Sequence, residues 1–458
     1  MMNPEHMTST ERRAASSLAG IYSLRMLGLF MILPVFALYA EKLESATPAL
    51  IGLAIGIYGL TQGLLQIPFG MLSDRLGRKP VIAAGLLLFA LGSVVAALAD
   101  NIYGVIAGRA LQGSGAIAAA IMALAADLTR EEHRVKIMAV IGMSIGASFS
   151  VAMVMGPVLD QWVGVSGIFW LTALLALGGI GVLFLRVPTP VLSRVHRDAQ
   201  TVPAQLREVV RDTQLLRLDF GIFALHMVLT SVFVVVPLML REAGLASDHH
   251  WQVYLPVMLL AIAFMVPFII LAEKKRRIKQ VFIGAISTLL VAIFALNLAA
   301  DSLWFIIVAL WLYFTAFNLL EASLPSLISK VAPAQSKGTA MGVYSSAQFL
   351  GVFVGGTIGG ALLGLYGSKG VFLFDMAILL IWLMLAITMR HPRYLASHIL
   401  RVGPLDQDKA RELNIQLTSV RGVAEATIMV EEGLAYLKVD SKALDRDALH
   451  RFSVEEGV

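Results

Sequence analysis

The 458-residue chain contains no cysteine. That excludes disulfides, thiolate metal sites and cysteine nucleophiles, and it leaves the redox compartment unread. Charge is scarce too: Asp, Glu, Lys and Arg make up 15% of the residues, against 58% hydrophobic ones. A soluble chain is about a quarter charged, so a water-soluble fold of this length could not cover its surface. No G-x-x-x-x-G-K-[ST] run occurs, which excludes ATP drive from this chain. There is no His-Glu-x-x-His, and no element suggests an intramembrane enzyme. What remains has a mean hydropathy of +0.78 and a net charge of +5. This is the composition of a polytopic membrane protein whose basic loops face anionic lipid rather than nucleic acid.

Twelve stretches reach the roughly 20 apolar residues that a membrane helix needs. Ser45–Ser73, Pro80–Ala99, Ile137–Leu159, Gln161–Leu185, Trp251–Ala272, Gln280–Ala300 and Gly338–Ser368 hold no charge. Five others hold one ionisable group each: Ala14–Ala40 (Arg25), Asn101–Ala126 (Arg109), Gly221–Leu240 (His226), Ser302–Ser329 (Glu321) and Gly370–Met389 (Asp375). Lys and Arg crowd every second loop, at Arg75/Arg78/Lys79, Arg130/Arg134/Lys136, Arg186–Arg211, Lys274–Lys279 and Lys330/Lys337. The opposite loops hold only Lys42, Arg241 and Lys369. This bias places both termini in the cytoplasm. The predicted organisation is a six-span half over residues 1–186, a cytoplasmic linker over 187–214, a second half over 215–390 and a small cytoplasmic domain over 391–458. Within the linker, Pro203–Arg211 reads as an interfacial helix.

A shift of 203 residues lays Gly156 on Gly359, Gly164 on Gly367 and Phe169 on Phe372. Equal span counts and this overlap indicate a duplication, with two parallel halves around an axis along the membrane normal. A substrate path would lie between the halves.

The loop after the second span reads Gly70-Met-Leu-Ser-Asp74-Arg75-Leu-Gly77-Arg78-Lys79. Gly70 permits close helix approach, Gly77 suits a positive φ, and Asp74 is an acid at a helix end. The run resembles the signature loop of the major facilitator superfamily, G-x-L-x-D-R-x-G-R-K. The resemblance implies a conformational latch: Asp74 facing the start of span eleven near Ser336–Gly338 when the protein is open outward, and Arg78 pairing with Asp127. The equivalent loop of the second half, Glu273–Lys279, keeps its charge and lacks the glycines.

Span four, Arg109-Ala-Leu-Gln112-Gly113-Ser-Gly115, resembles the family's R-x-x-Q-G-x-G motif, which implies a part in proton coupling for Arg109. Read from the residues alone, a structural arginine satisfied by carbonyls stays open. Span five, with Gly142, Gly146 and Gly156-Pro157, resembles in part the motif of the family's antiporters, although Gly-x-x-x-Gly spacing needs only helix packing. Leu33-Pro34-Val-Phe-Ala-Leu-Tyr39 and Phe317-Asn318-Leu-Leu-Glu321-Ala-Ser-Leu-Pro325 are similar to the drug:proton antiporters of the superfamily.

The tail, residues 391–458, has nine Lys/Arg against eleven Asp/Glu. Strands are predicted at Ser397–Val402, Ala426–Val430 and Leu434–Val439, with helices at Asp406–Thr418 and Asp445–Phe452, a β-α-β-β-α order of ferredoxin-like type. Val420-Arg-Gly-Val423 resembles heavy-metal-associated domains. Without cysteines, and with His398 and His450 too few and too far apart in sequence to replace them, no metal site is expected. Dimerisation, ligand binding and an inert role stay open for the tail.

The expected fold is therefore all-α membrane, twelve helices in two halves, with an added α+β domain. The expected function is secondary active transport in a bacterial inner membrane, with protons as coupling ion, no other cofactor, and an organic, drug-like substrate exported by alternating access. The alternative is a non-transporting sensor with the tail as output module. Glu321 is the leading proton-titrating carboxylate, with Arg25 as its expected partner and Arg109 beside it. Asp375 and Asp160 are placed nearer an outer boundary. Tyr58, His226, Phe233, Tyr313, Phe317 and Asn318 are the candidate cavity residues.

Overall fold

The computed structural model describes residues 7–190, 202–299, 302–333, 336–390, 395–403, 405–430, 433–440 and 443–453. Arg194, Arg197, Asp301, Arg393 and the Glu431-Glu432 pair lie outside them. The first half is built from α1 (Ser9–Phe30), α2 (Leu33–Ala40), α3 (Pro48–Leu76), α4 (Arg78–Ala97), α5 (Ile102–Ser114), α6 (Ala118–Asp127) and α7 (Glu131–Leu185). A short α8 (Pro203–Val209) leads to α9 (Thr213–Glu242), α10 (Trp251–Lys274), α11 (Ile278–Leu298), α12 (Leu303–Val331) and α13 (Lys337–Ile387). Among the described residues these make ten segments long and apolar enough to cross a membrane.

Two helices are about twice the length a membrane requires: α7 has 55 residues and α13 has 51. Each is broken once, by a glycine with φ near +66° and an extended ψ, Gly164 in α7 and Gly367 in α13. These are the two glycines that the 203-residue shift superposes. The same left-handed backbone, open at little cost only to glycine, thus recurs at the same place in both halves. α5 and α6 are likewise one segment interrupted at Gly115-Ala-Ile117.

The tail forms a three-stranded antiparallel sheet of β1 (Ala396–Arg401), β2 (Val423–Met429) and β3 (Leu434–Val439) in the order β1-β3-β2. It is packed with α14 (Gln407–Ser419) and α15 (Arg446–His450). Asp406 and Asp445 start these helices by accepting from Lys409 N and Ala448 N at 2.8 and 3.0 Å. Leu400, Leu417, Ala435, Leu437 and Leu449 are its core. The tail docks on the second half. Arg276 Nη2 donates to Asp440 Oδ1 at 3.0 Å, and Lys438 Nζ donates to Ser329 O at 2.8 Å. That carbonyl is orphaned because the residue four further on is Pro333, which has no N–H. Burial, then the neighbouring Lys337, pushes the Lys438 ammonium down to about 8, with Glu425 opposing the shift. We call this end of the bundle the tail face and the other the far face.

The helix expected within Pro203–Arg211 is present. α8 spans Pro203–Val209 and is seated on the start of α13, where Thr339 Oγ1 donates to Gln205 Oε1 at 3.0 Å and accepts from Val202 N at 2.9 Å.

The halves meet mainly through α3 and α13. Gly52, Gly56 and Gly59 lie against Gly356, Phe353 and Phe349, and Gly360 lies against Pro48. Each contact is backbone on backbone, so close that a Cβ at Gly56 would stand 2.7 Å from Phe353 O. At the far face Arg241 Nη1 also reaches Glu41 Oε2 at 2.5 Å across the halves. Towards the tail face the two helices part. Gly63 still faces Ser346 O at 3.2 Å, but the space at Gly70 is closed only by Ala119 of its own half. The conformation is sealed at the far face and parted at the tail face.

Candidate functional site

The Gly70–Lys79 segment carries the chain from α3 into α4. Gly77 both ends α3 and precedes α4, with φ +92° and ψ 151°, a backbone that requires glycine. Gly70 lets α6 approach until its Cβ position is 3.0 Å from the Ala119 Cβ. Arg78 is turned inward and almost fully buried. Its Nε donates to Asp127 Oδ2 at 3.1 Å, and Nη1 donates to Ser73 Oγ at 2.8 Å and also to Asp74 Oδ1. Lys79 donates to Val187 O at 2.7 Å and Thr189 Oγ1 at 3.1 Å, tying the loop to the end of the first half. Arg75 is exposed. Asp74 keeps 32% of its side chain accessible and leans on Arg78, not on the start of α13. Residues 336–339 instead border α8 and the docked tail.

In the first half, Arg25 and Arg109 are buried side by side around Tyr58. Arg25 Nη2 donates to Tyr58 OH at 2.8 Å, Gln62 Oε1 at 2.7 Å and Gly115 O at 2.9 Å. The last acceptor is a carbonyl freed by the break between α5 and α6. Arg109 donates to Ala54 O at 3.3 Å and Gln112 Oε1 at 3.0 Å, and its guanidinium lies 5.1 Å from the Tyr58 ring centre. Gln112 in turn donates to Ser93 Oγ at 2.7 Å. The glycines of this motif serve contact: a Cβ at Gly113 would strike Thr61 Oγ1, and one at Gly115 would strike Gly85 O. Arg25 is therefore not the partner of Glu321. It belongs to this network, on the other side of the molecule's division.

Glu321 finds different neighbours. His226 Nε2 is 3.7 Å from its Oε2, and Gln348 Nε2 is 3.5 Å from its Oε1. His226 Nδ1 lies 3.3 Å from Ile222 O, where only an Nδ1–H can donate, and Gln348 Nε2 stands 2.7 Å from His226 Nε2. Those two contacts fit the neutral Nδ1–H tautomer, in which Nε2 accepts from the amide. Glu321 Oε2 and Asn318 Nδ2 have no hydrogen-bond partner. His226 and Glu321 are the lone ionisable groups of their two spans, and that pattern could have paired them from sequence. Around them an aromatic column crosses the halves. Tyr313 stacks on Phe317 at 6.1 Å, Phe317 meets Phe149 at 5.6 Å, and Phe149 meets Phe30 at 5.1 Å. Phe233 is not in this column's line; it packs on Phe314 and Tyr254. Tyr58 touches the second half through Phe349 at 6.1 Å.

Asp375 is fully buried within the protein, where it accepts from Ser231 Oγ at 2.6 Å. It lies eight residues past the break at Gly367 and twelve before the end of α13, so it is nearer the far-face end of its span. Arg109 lies on α5 and Asp127 at the end of α6, 18 positions apart and on opposite sides of the break at Gly115-Ala-Ile117. In span five, Gly156 packs against Met31 O, with Pro157 within the same helix, whereas Gly142 and Gly146 have nothing within 4 Å and are exposed. Helix packing does not account for those two. Gly142-Met-Ser-Ile-Gly146 also spells the G-x-S-x-G of hydrolase nucleophiles. Here it lies inside a helix with no preceding strand, and Ser144 Oγ donates to Ile141 O at 2.7 Å.

The model of the Major Facilitator Superfamily matches residues 18–356. The inner membrane transport protein YajR of Escherichia coli (strain K12) is 48% identical over 457 residues, 100% of this chain and 99% of that protein. The multidrug resistance protein MdtH of Yersinia enterocolitica is 25% identical, over 73% of this chain and 82% of its own. Among solved structures, a bacterial homolog of the human lysosomal transporter Spinster, in an inward-facing and occupied conformation, aligns with a TM-score of 0.67 at 15% identity, covering 83% of this chain and 96% of its own. The human organic anion transporter MFSD10 (TETRAN) aligns with a TM-score of 0.61 at 20% identity, covering 83% and 100%. The apolar helices, the latch loop and these matches place the chain in the Major Facilitator Superfamily, a family of transporters and not of enzymes.

Proposed function

We propose that this protein is a proton-coupled exporter of organic, drug-like molecules, with twelve spans, both termini in the cytoplasm and a ferredoxin-like tail on the cytoplasmic side. Counting α7 and α13 as two spans each, at Gly164 and Gly367, turns ten segments into twelve. The Lys/Arg bias makes the tail face cytoplasmic, so the conformation here is the inward-open one. The similarity to a multidrug resistance protein supports the substrate class, and full-length similarity to an inner membrane transport protein supports the location.

The observation that carries the reading is the Glu321–His226–Gln348 group. It holds an acid facing an imidazole whose contacts fit the neutral Nδ1–H tautomer, with no Lys or Arg bonded to it among the described residues. A proton arriving on His226 Nε2 would convert its contact with Gln348 into one with Glu321. A local proton event thus changes which helices are bonded. The test is ΔpH-driven accumulation of a lipophilic cationic dye in everted vesicles, absent from vesicles lacking the protein. A non-transporting sensor would give neither this accumulation nor counterflow.

Two further outcomes are expected. A cysteine at Ser247, in a chain with no native thiol, reacts with an impermeant maleimide only from the periplasmic side; labelling from the cytoplasm alone would overturn the topology. Asp74→Asn shifts the conformational balance towards the inward-open state without unfolding the protein. A carboxylate facing a helix start contributes about 0.3–2 kcal/mol, enough for a several-fold change in population. Spin-label distances between Lys136 and Lys275 positions would report it, and unchanged distributions would remove the latch role.

A further inference from the structure

We propose that the second half contains its own proton entry route, in which Asp219 and Tyr344 connect Glu321 to the tail face without passing through the space between the halves. The proposal rests on the reading of Glu321 given above and adds the path by which that acid is served.

Asp219 lies six residues inside α9, about 9 Å from its first residue. It is 6% exposed, and neither carboxylate oxygen has a hydrogen-bond partner among the described residues. A buried carboxylate without donors is among the costliest groups a helix can carry in an apolar setting. Ion pairing does not explain it: Arg217, two residues away, donates to Thr388 O at 2.6 Å instead. Asp219 precedes His226 by seven residues, two turns on the same face of α9, about 10 Å. On α13, Tyr344 precedes Gln348 by one turn, and Gln348 is the residue joined to His226 at 2.7 Å. The Tyr344 hydroxyl is buried and has no hydrogen-bond partner among the described residues. Asp219 on α9 and Tyr344 on α13 thus both lie on the tail-face side of the His226–Gln348 contact, and Glu321 of α12 stands at that contact.

These three groups form a ladder on three helices of one half, each with an unsatisfied oxygen: Asp219 Oδ1 and Oδ2, Tyr344 OH and Glu321 Oε2. Buried oxygens of this kind are bridged by ordered water. In the first half, Arg25 Nη2, Tyr58, Gln62, Arg109, Gln112 and Ser93 are bonded directly to one another or to backbone, and the atoms of that network without a partner among the described residues are the guanidinium nitrogens Nε and Nη1 of Arg25, which are donors and not oxygens. Along the ladder a proton taken up by the Asp219 carboxylate passes to a bridging water. That water, or the tyrosine hydroxyl, gives a proton to Glu321 Oε2 and regains one from behind. Only O–H bonds form and break, and no co-reactant is needed. Substrate and proton would then travel by separate routes, so a bulky substrate in the central space need not block protonation.

The experiment is a rapid pH jump on the full-length protein in proteoliposomes, followed by the infrared C=O stretch of protonated carboxyl groups, with the proton itself as probe. The Glu321 band is the one lost in Glu321→Gln. It is expected to rise at least ten-fold more slowly in Asp219→Asn and in Tyr344→Phe, and at the native rate in Asp219→Glu. A native rate in both Asp219→Asn and Tyr344→Phe overturns the route. Should Asp219→Asn fail to fold, Tyr344→Phe, which removes a single oxygen, decides alone. A native protein with no band assignable to Glu321 would instead overturn the titrating role of Glu321 itself, a result distinct from an unchanged rate.

Discussion

Glu321→Gln is expected to lower ΔpH-driven transport at least 100-fold while counterflow, which needs no net proton movement, stays within about three-fold of native. Glutamine keeps the size and the hydrogen-bonding reach of the side chain, so the contacts to Gln348 and His226 can persist. What it removes is the exchangeable proton. Glu321 lies nine residues before Lys330, about 13 Å along α12. Its Oε2 is buried and has no hydrogen-bond partner among the described residues, so that oxygen is free to take a proton. Its neighbours are an amide and an imidazole rather than a guanidinium. An acid clamped by arginine would stay ionised through the cycle; one opposed by a neutral imidazole can gain and lose its proton without breaking a buried ion pair. The measurement is dye accumulation against an imposed pH gradient, run beside counterflow in the same proteoliposomes. Undiminished driven transport would eliminate Glu321, and Asp375, fully buried on Ser231, would become the acid to test. Loss of both activities would point to a structural role.

Much of the architecture could be read from local pattern because a membrane helix declares itself by composition alone. The duplication could be read because Gly164 and Gly367 are fixed by backbone conformation, which no other residue adopts cheaply. The Arg78–Asp127 contact of 3.1 Å lies where the family resemblance implies it. Sequence fell short where the answer depends on which faces meet. Arg25 was assigned to Glu321 because both are lone charges in apolar spans, but its guanidinium is drawn to the carbonyl that the break at Gly115 exposes. The Gly142/Gly146 spacing suggested packing and has none. The close interface between α3 and α13 carries no distinctive motif: Gly52, Gly56, Gly59 and Gly63 repeat at three- and four-residue intervals, and of Gly351, Gly355, Gly356, Gly359 and Gly360 on α13 only Gly356 and Gly360 meet α3, while the other three meet α9, a choice of neighbour that spacing does not reveal.

That interface supports the second large prediction. Gly52→Val should trap the protein with its far face open and abolish transport by any assay, counterflow included. A Cβ at Gly52 would overlap Gly356 O and stand 2.7 Å from Gly360 Cα, so every nearby obstacle is backbone. Side chains can rotate away from an intruding methyl group, but a helix backbone can only translate. Gly356 and Gly360 face the same contact from the other side, against Gly52 O and Pro48 O, so no local repacking frees the space. The least costly response is to separate α3 from α13, which is the motion that opens the far face. About 5.5 kcal/mol moves a two-state equilibrium from 1:99 to 99:1, and a substituent that blocks one state sterically while leaving the other untouched supplies that difference through the blocked state alone. The Arg241–Glu41 pair, about half exposed, is too solvated to hold the face closed against it. With spin labels at Asp100 and Lys369, both exposed at the far face, the distance distribution should lengthen by several ångströms in Gly52→Val. Labels at Lys136 and Lys275 should draw together as the tail face closes. Gly52→Ala, with one methyl group against the same atoms, should shift both distributions in the same directions. A Gly52→Val protein that folds, keeps native distances at both faces and still transports would show that the closed arrangement of α3 on α13 is not a working state of the cycle.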